Sequence, residues 1–218
     1  MSSTSIFITV ILFIPAIIVL SIVLPLVIIK RRNHLTGASG ERSVSEMLSQ
    51  IMRDGEFLIN DYLASRNRDQ TESIQIDHIF ISYKGVFVIE TKDYRGRIYG
   101  DRYQNGWTQV LAYGGEKHRL YNPIMQNETH RRYVKRIIGE HFHTYSAVIF
   151  INADISRIKN SSDILFGKRS FLNWYYSLPD CILDYSGIET VRMALTKEMS
   201  ENPITKEQHI SNIRRRHR

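Results

Sequence analysis

Asp77, Glu90 and Lys92 are the residues of this chain whose types and spacing could do chemistry. They lie in the stretch SIQIDHIFISYKGVFVIETK from Ser73 to Lys92, where two apolar, β-branched runs flank Lys84-Gly85. That pattern predicts a β-hairpin. With Lys84 and Gly85 as a two-residue loop, Tyr83 faces Val86, Ile81 faces Val88, Ile79 faces Glu90 and Asp77 faces Lys92. Opposed residues share a face of a sheet, and so do residues two apart on a strand. The three charged groups therefore meet among Ile79, Ile81, Val86 and Val88, where they are costly unless they pair or hold a metal. Two carboxylates are hard oxygen ligands that suit Mg²⁺ or Mn²⁺, and the backbone carbonyl of Thr91 adds another oxygen. A divalent ion acidifies its water and polarises a phosphoryl oxygen. Lys92 could orient or help deprotonate the attacking water, or stabilise charge on the phosphate. The set fits metal-assisted hydrolysis of a phosphodiester. The plainer alternative is a surface hairpin with a cross-strand Asp–Lys pair. Apolar residues on both faces of both strands argue against it.

The elements around the hairpin must position this cluster. Gly37 to Glu41 reads as a loop capped by Ser39 or Gly40, leading into a helix whose apolar stripe is Val44, Leu48 and Ile51. Glu41 falls on that stripe. It either complements the helix dipole or points to the same site as Asp77, where it would ligate the ion directly or through water. Phe57 to Leu63 reads as a strand and Ala64 to Glu72 as a loop. Tyr94 to Gly100 reads as a turn through two glycines, Trp107 to Leu111 as a strand carrying Gln109, and Ala112 to Arg119 as a polar loop. Asn122-Pro123 opens a helix with Ile124, Val134, Ile137 and Ile138 on its apolar side, ended by Gly139. His130, Arg131, Arg132, Lys135 and Arg136 crowd its remaining surface. They form either a solvated face or, through Arg131, Arg132, Lys135 and Arg136, a nucleic-acid contact. Ala147 to Ile151 reads as a buried strand. The aromatic-rich Ser170 to Leu178 yields no assignment. Ser186-Gly-Ile-Glu189 reads as a capping box opening a helix to about Met199, and residues 204–214 as a short amphipathic helix before a basic tail. The order is that of a mixed α/β domain with helices on the faces of a sheet.

The 218 residues carry a net charge of +7, which favours an anionic partner. The single cysteine, Cys181, excludes an intrachain disulfide and a cysteine-rich zinc site. Ile6 to Ile29 is apolar and uncharged, longer than the ~20 residues needed to span a bilayer, so a transmembrane helix is expected at 6–29. Lys30, Arg31 and Arg32 follow in a basic linker, 30–36, which places the C-terminal side in the cytoplasm and the N-terminus outside. The expected organisation continues with a core at 37–150 and a C-terminal helical extension with a basic tail at 151–218.

Gly37-x-x-Gly40-Glu41, Gln75-Ile-Asp77-His78, Gly85-Val-Phe-Val-Ile-Glu90-Thr-Lys92, Gly96, Trp107 and Asn122-Pro-x-x-Gln126 together resemble the nuclease-related domain, NERD. That family is similar to the PD-(D/E)xK restriction-endonuclease-like superfamily, and the resemblance covers about residues 35–150. It implies a mixed central sheet flanked by helices, with Asp77 and Glu90 as metal ligands and Lys92 as catalytic lysine. Glu41 would be the acidic residue of the first helix, and Gln109 and Gln126 match supporting polar positions. Ile76 stands where the superfamily pattern has proline. The resulting expectation is a membrane-anchored, Mg²⁺-dependent nuclease acting on DNA. A homodimer would suit double-strand cutting. Two rival readings are a non-catalytic module tethering nucleic acid or protein at the membrane, and a lipid-surface scaffold, which leaves the charged cluster unexplained. His78 alternates away from Asp77 and reads as a packed or surface histidine, and Trp107 as core. His141 and His143 have no partner carboxylate for a zinc site.

Overall fold

A computed structural model describes residues 37–67, 69–111 and 114–216. The expected membrane helix at 6–29 and the basic linker at 30–36 lie outside the described residues. Among the described residues no helix is long and apolar enough to cross a membrane. The chain divides into two compact units, Met1–Ser39 and Gly40–Arg218, and the fold is that of the second.

Helix α1 covers residues 37–51. The strands are β1 (Phe57–Ser65), β2 (Ser73–Ser82), β3 (Gly85–Asp101), β4 (Gly106–Leu111) and β5 (Glu116–Tyr121). Helix α2 (Pro123–Ile138) then leads to β6 (Thr144–Lys159), β7 (Leu165–Gly167), α3 (Lys168–Ser177), α4 (Tyr185–Glu201) and α5 (Lys206–Arg216). The seven strands form one mixed sheet: β1 to β5 run antiparallel in order, while β6 pairs in parallel with β3 and β7 with β6. Side-chain alternation splits the core. Ile79, Ile81, Val86 and Val88 pack with Tyr133 and Val134 of α2 and Ile188 and Val191 of α4. Phe80, Phe87 and Ile89 face the other way, onto Val44 and Leu48 of α1 and Phe171 and Tyr175 of α3.

The long strand β3 creates the opening for a site. One edge is covered by β6 along most of its length. On the other edge β2 is paired only as far as His78↔Ile89, and β4 begins only at Arg97↔Val110. Between those two ladders the backbone of β3 needs other partners, and that is where the charged side chains lie.

Several sequence expectations are corrected. The hairpin loop is Tyr83-Lys84, and Gly85 already pairs with Ser82. Gly85 has φ +127° and opens β3 where a side chain would crowd Tyr145. Lys84 turns back instead, its Nζ donating to the Leu178 carbonyl at 2.6 Å. The register is thus displaced by two residues, with Ile81 opposite Val86. An even displacement leaves every side chain on its expected face. Tyr94 to Gly100 is not a turn but part of β3. Gly96, at φ +75°, lies between two register irregularities, and its missing side chain makes room for the Val110 carbonyl. The expected loop at 112–119 instead contains β5, paired with β4 from Gly106↔Tyr121 to Leu111↔Glu116. Residues 37–40 are already helical. The cap of α4 is Asp184, whose carboxylate accepts the Gly187 N–H at 2.7 Å. Residue 151, expected to begin the C-terminal extension, falls inside β6, and β7 joins the same sheet.

Candidate functional site

Asp77 sits where β2 leaves β3. Its Oδ2 accepts the Thr91 N–H at 2.8 Å, so a side chain replaces the ladder partner that the strand lacks there. The N–H and C=O of one strand residue leave the strand on the same side. The Thr91 carbonyl oxygen is therefore directed toward Asp77 as well. Glu90 and Lys92 project from the same face of β3, two residues apart. Lys92 Nζ donates to Glu90 Oε1 at 2.6 Å and to Gln126 Oε1 at 3.2 Å, while Gln126 Nε2 donates to Glu90 Oε1 at 2.7 Å. Gln126 thus closes a three-cornered arrangement from α2, which Asn122 starts by accepting the Ile124 N–H at 2.9 Å. Asn127 on the same helix fastens it to the sheet, its amide nitrogen reaching the Val88 and Ala147 carbonyls at 2.9 and 3.0 Å.

The second oxygen of Glu90 is different. Oε2 is buried without a close hydrogen bond, and His130 Nδ1, buried likewise, lies within ion-pairing distance of it at 3.4 Å. His130 is a correction to the sequence reading. It is buried on the inner face of α2 and does not belong to the charged surface. Helical spacing could have revealed this, because residue 130 is four beyond Gln126 and shares its face.

Burial and neighbouring charge set the ionisation of the cluster. Asp77 is partly exposed yet hemmed in by protein, and this loss of solvation, reinforced by the Glu90 carboxylate beside it, pushes its pKa well up. Burial also works against ionised Glu90, but Lys92 and His130 outweigh it and hold Glu90 below the usual carboxylate range. Lys92 is desolvated too, and its contact with Glu90 overcomes that and keeps it an ammonium. Glu41 is raised by burial, then by Asp61 and Glu90, so its field reaches the cluster. Asp61, at φ +53° in β1, is bound by Gln75 and pairs with Lys206 of α5. No sequence signal pointed to that pair.

The structure therefore brings Asp77, Glu90, Lys92 and Gln126 together, with Glu41 at the margin. It does not bring Gln109 to them: that amide donates to the Arg95 carbonyl at 2.8 Å. On α2, Arg131 is bound by Glu128 at 2.9 Å, Lys135 pairs with Glu140 at 2.9 Å, Arg136 lies over the Tyr133 ring and Arg132 is exposed. Among the described residues, two of the four cations expected to carry a single sign, Arg131 and Lys135, are thus paired with acidic neighbours, and Arg132 and Arg136 are not.

Among the described residues no three His, Cys, Asp or Glu side chains converge closely enough to hold an ion by themselves. The donor set nevertheless fits a hard divalent cation. It comprises two neighbouring carboxylates, a directed backbone carbonyl and a buried carboxylate oxygen whose contact to His130 is long, at 3.4 Å. Mg²⁺ characteristically takes few protein ligands and keeps its waters.

His78 points to the opposite face, is buried, and bridges Asn60 Oδ1 at 2.7 Å and Thr91 Oγ1 at 3.1 Å. It supports Thr91 from behind. Burial lowers its pKa to about 4. Below the unfolded value the unfolded chain binds a proton that the folded chain refuses. Its contribution to stability is therefore full above about pH 6.5 and falls by about 3 kcal/mol as pH drops through about 4. His78→Gln is expected to flatten the pH dependence of urea unfolding between pH 4.5 and 7. Identical slopes in both proteins would refute this assignment.

A mixed sheet flanked by helices, with paired carboxylates and a lysine at the parting of two strands, is consistent with a nuclease-like fold. The chain belongs to the nuclease-related domain (NERD) family, whose model matches residues 36–151. It is also similar to an uncharacterized protein of Bacillus anthracis, 29% identical over 175 residues that cover 79% of this chain and 78% of that protein. No solved structure matches the chain significantly.

Proposed function

We propose that the protein is a metal-dependent nuclease that hydrolyses phosphodiester bonds, with DNA as the expected substrate. The observation that carries this reading is the convergence of Asp77 and Glu90, whose buried second oxygen has His130 beside it at 3.4 Å and no closer hydrogen bond, with Lys92 held beside them. Asp77, Glu90 and the Thr91 carbonyl would hold Mg²⁺ or Mn²⁺, with Glu41 acting through water. When bound, such an ion supplies a Lewis acid for a phosphoryl oxygen and acidifies a water molecule. Lys92, kept as an ammonium, stabilises negative charge on the phosphate and orients the attacking water rather than deprotonating it. Gln126 fixes the separation of Lys92 and Glu90, so little reorganisation is needed as charge develops. The apolar run at 6–29 and the basic triplet after it support anchoring of this domain at the cytoplasmic face of a membrane.

The test is cleavage of labelled plasmid and single-stranded DNA by the full chain in nonionic detergent, with Mg²⁺, Mn²⁺ or EDTA. Cutting with either metal and none in EDTA is expected. Binding without cutting under both metals would overturn the enzyme reading in favour of a tethering module.

A further inference from the structure

The far halves of β3 and β6, with β4 and β5, form an arm whose two faces differ sharply. One face buries Ile98 and Trp107 against Ile124 of α2. The other carries its side chains in rows fixed by the ladder. Arg97, Val110 and Lys117 lie side by side, then Tyr99, Thr108 and Arg119, then Gly106 and Tyr121. On the β6 side Arg157 stands opposite Tyr99. The four basic residues are exposed, and Tyr99 and Tyr121 are 38% and 61% exposed. Among the described residues two carboxylates share this face: Asp154, beside Arg97, and Asp101 at the end of β3, beside Lys159 and bound by the Asn160 amide at 2.8 Å. Lys117 and Arg119 make no ion pair among the described residues. On α2, by comparison, Arg131 and Lys135 are already paired with Glu128 and Glu140. Arg97 is five residues beyond Lys92 on the same strand, at most about 17 Å along it.

We infer that this face of the arm binds single-stranded nucleic acid, with Arg97, Lys117, Arg119 and Arg157 on phosphates and Tyr99 and Tyr121 beneath unstacked bases. Cations spaced among exposed rings suit a charged backbone whose bases are free to stack. A duplex offers the same phosphates but no open base face. The inference rests on the nuclease reading only for its purpose, which is to deliver the strand to the cleft at Lys92.

The test is fluorescence anisotropy of a labelled oligodeoxythymidylate with the full chain in detergent and EDTA, so that binding is read without cleavage. The triple variant Lys117→Gln, Arg119→Gln, Arg157→Gln is expected to bind at least tenfold more weakly. The slope of log affinity against log salt should shrink by about 2, since each single-strand phosphate contact contributes about 0.7. Tyr121→Ala should weaken the single strand about fivefold or more and leave duplex binding unchanged. Circular dichroism checks that these exposed substitutions leave the fold intact. Wild-type affinity and slope in the triple variant would overturn the inference, as would equal loss of single strand and duplex in Tyr121→Ala. A chain that loses binding in the variant but never cuts with metal keeps this surface and refutes the nuclease reading. A chain that cuts while the triple variant binds normally does the reverse.

Discussion

Replacing Lys92 by alanine is expected to reduce phosphodiester cleavage by roughly 10²–10³-fold, the loss typical of removing one preorganised donor from a developing negative charge. The side chain is held by Glu90 at 2.6 Å and Gln126 at 3.2 Å, so it cannot swing away and does not need to be recruited. The same substitution leaves Glu90 buried with one cation fewer. Unpairing a buried ion pair costs about 3–5 kcal/mol, so part of any lost activity could come from unfolding. Lys92→Arg separates the two effects. It keeps the positive charge, and with it most of the stability, but a planar fork does not reproduce the position of a compact ammonium. Cleavage by both variants, measured beside thermal melts at the assay temperature, is the readout. A well-folded Lys92→Ala protein that cuts at the wild-type rate would remove Lys92 from the chemistry.

The cluster is held from α2 as much as from the strands. Asn127 bonds the backbone of β3 and of β6, and Gln126 one residue earlier reaches the acidic and basic side chains of the site. His130 lies one turn further along the helix, against the other oxygen of Glu90. Both edges of the site are thus tied to one rigid helix. The strand parting leaves Asp77 to satisfy the Thr91 N–H, which in a continuous sheet would be taken by a neighbouring strand. Asp77 is a local replacement for a ladder hydrogen bond, and its position is as well determined as the sheet itself.

The convergence of Asp77, Glu90 and Lys92 was legible in the sequence because alternation in a strand depends only on parity. The register was displaced by two residues, since Gly85 at φ +127° serves as the first strand residue and Tyr83-Lys84 as the loop. Parity survived that displacement, and so did the shared face. Asn122 was legible as a cap because the chemistry of a helix start is local. Of the arm only the strand Trp107 to Leu111 was legible. Its neighbour Glu116–Tyr121 reads EKHRLY and is mostly exposed on both faces, so no alternation betrays it, and only pairing with β4 makes it a strand. Gly96 and Gly100 read as a turn, but Gly96 is a paired residue of β3 at φ +75°, placed where the Val110 carbonyl comes close. The Asp61–Lys206 pair joins residues far apart in the chain, and nothing short-range encodes such a contact. His130 was readable in principle from its spacing to Gln126, but it was hidden within a run of arginines and lysines.

Asp77→Asn is expected to make the metal-free protein more stable at neutral pH while abolishing cleavage. The Asp77 carboxyl is raised first by burial and then by Glu90. A carboxyl whose folded pKa lies above its unfolded value stabilises the fold fully below the unfolded value, near 3.9, and loses that contribution as pH rises through the folded one. At pH 7 the burial of this group therefore works against folding. Asparagine keeps an oxygen to accept the Thr91 N–H and brings no charge. Relieving a strained functional group commonly yields about 0.5–2 kcal/mol, or roughly 1–8 °C in Tm for a chain of this size. The gain should shrink toward zero near pH 4, where wild-type Asp77 is protonated. Mg²⁺ should raise the Tm of the wild-type chain in proportion to its binding and leave the variant unmoved. Melting curves at pH 4 and 7, with and without Mg²⁺, decide the matter. A variant that melts below wild type at pH 7 would show that Asp77 is a structural hydrogen-bond acceptor first, and equal Mg²⁺ stabilisation of both proteins would remove it from the ligand set. The combination expected here, a gain in stability with loss of both metal response and activity, is what distinguishes a carboxylate kept for chemistry from one kept for the fold.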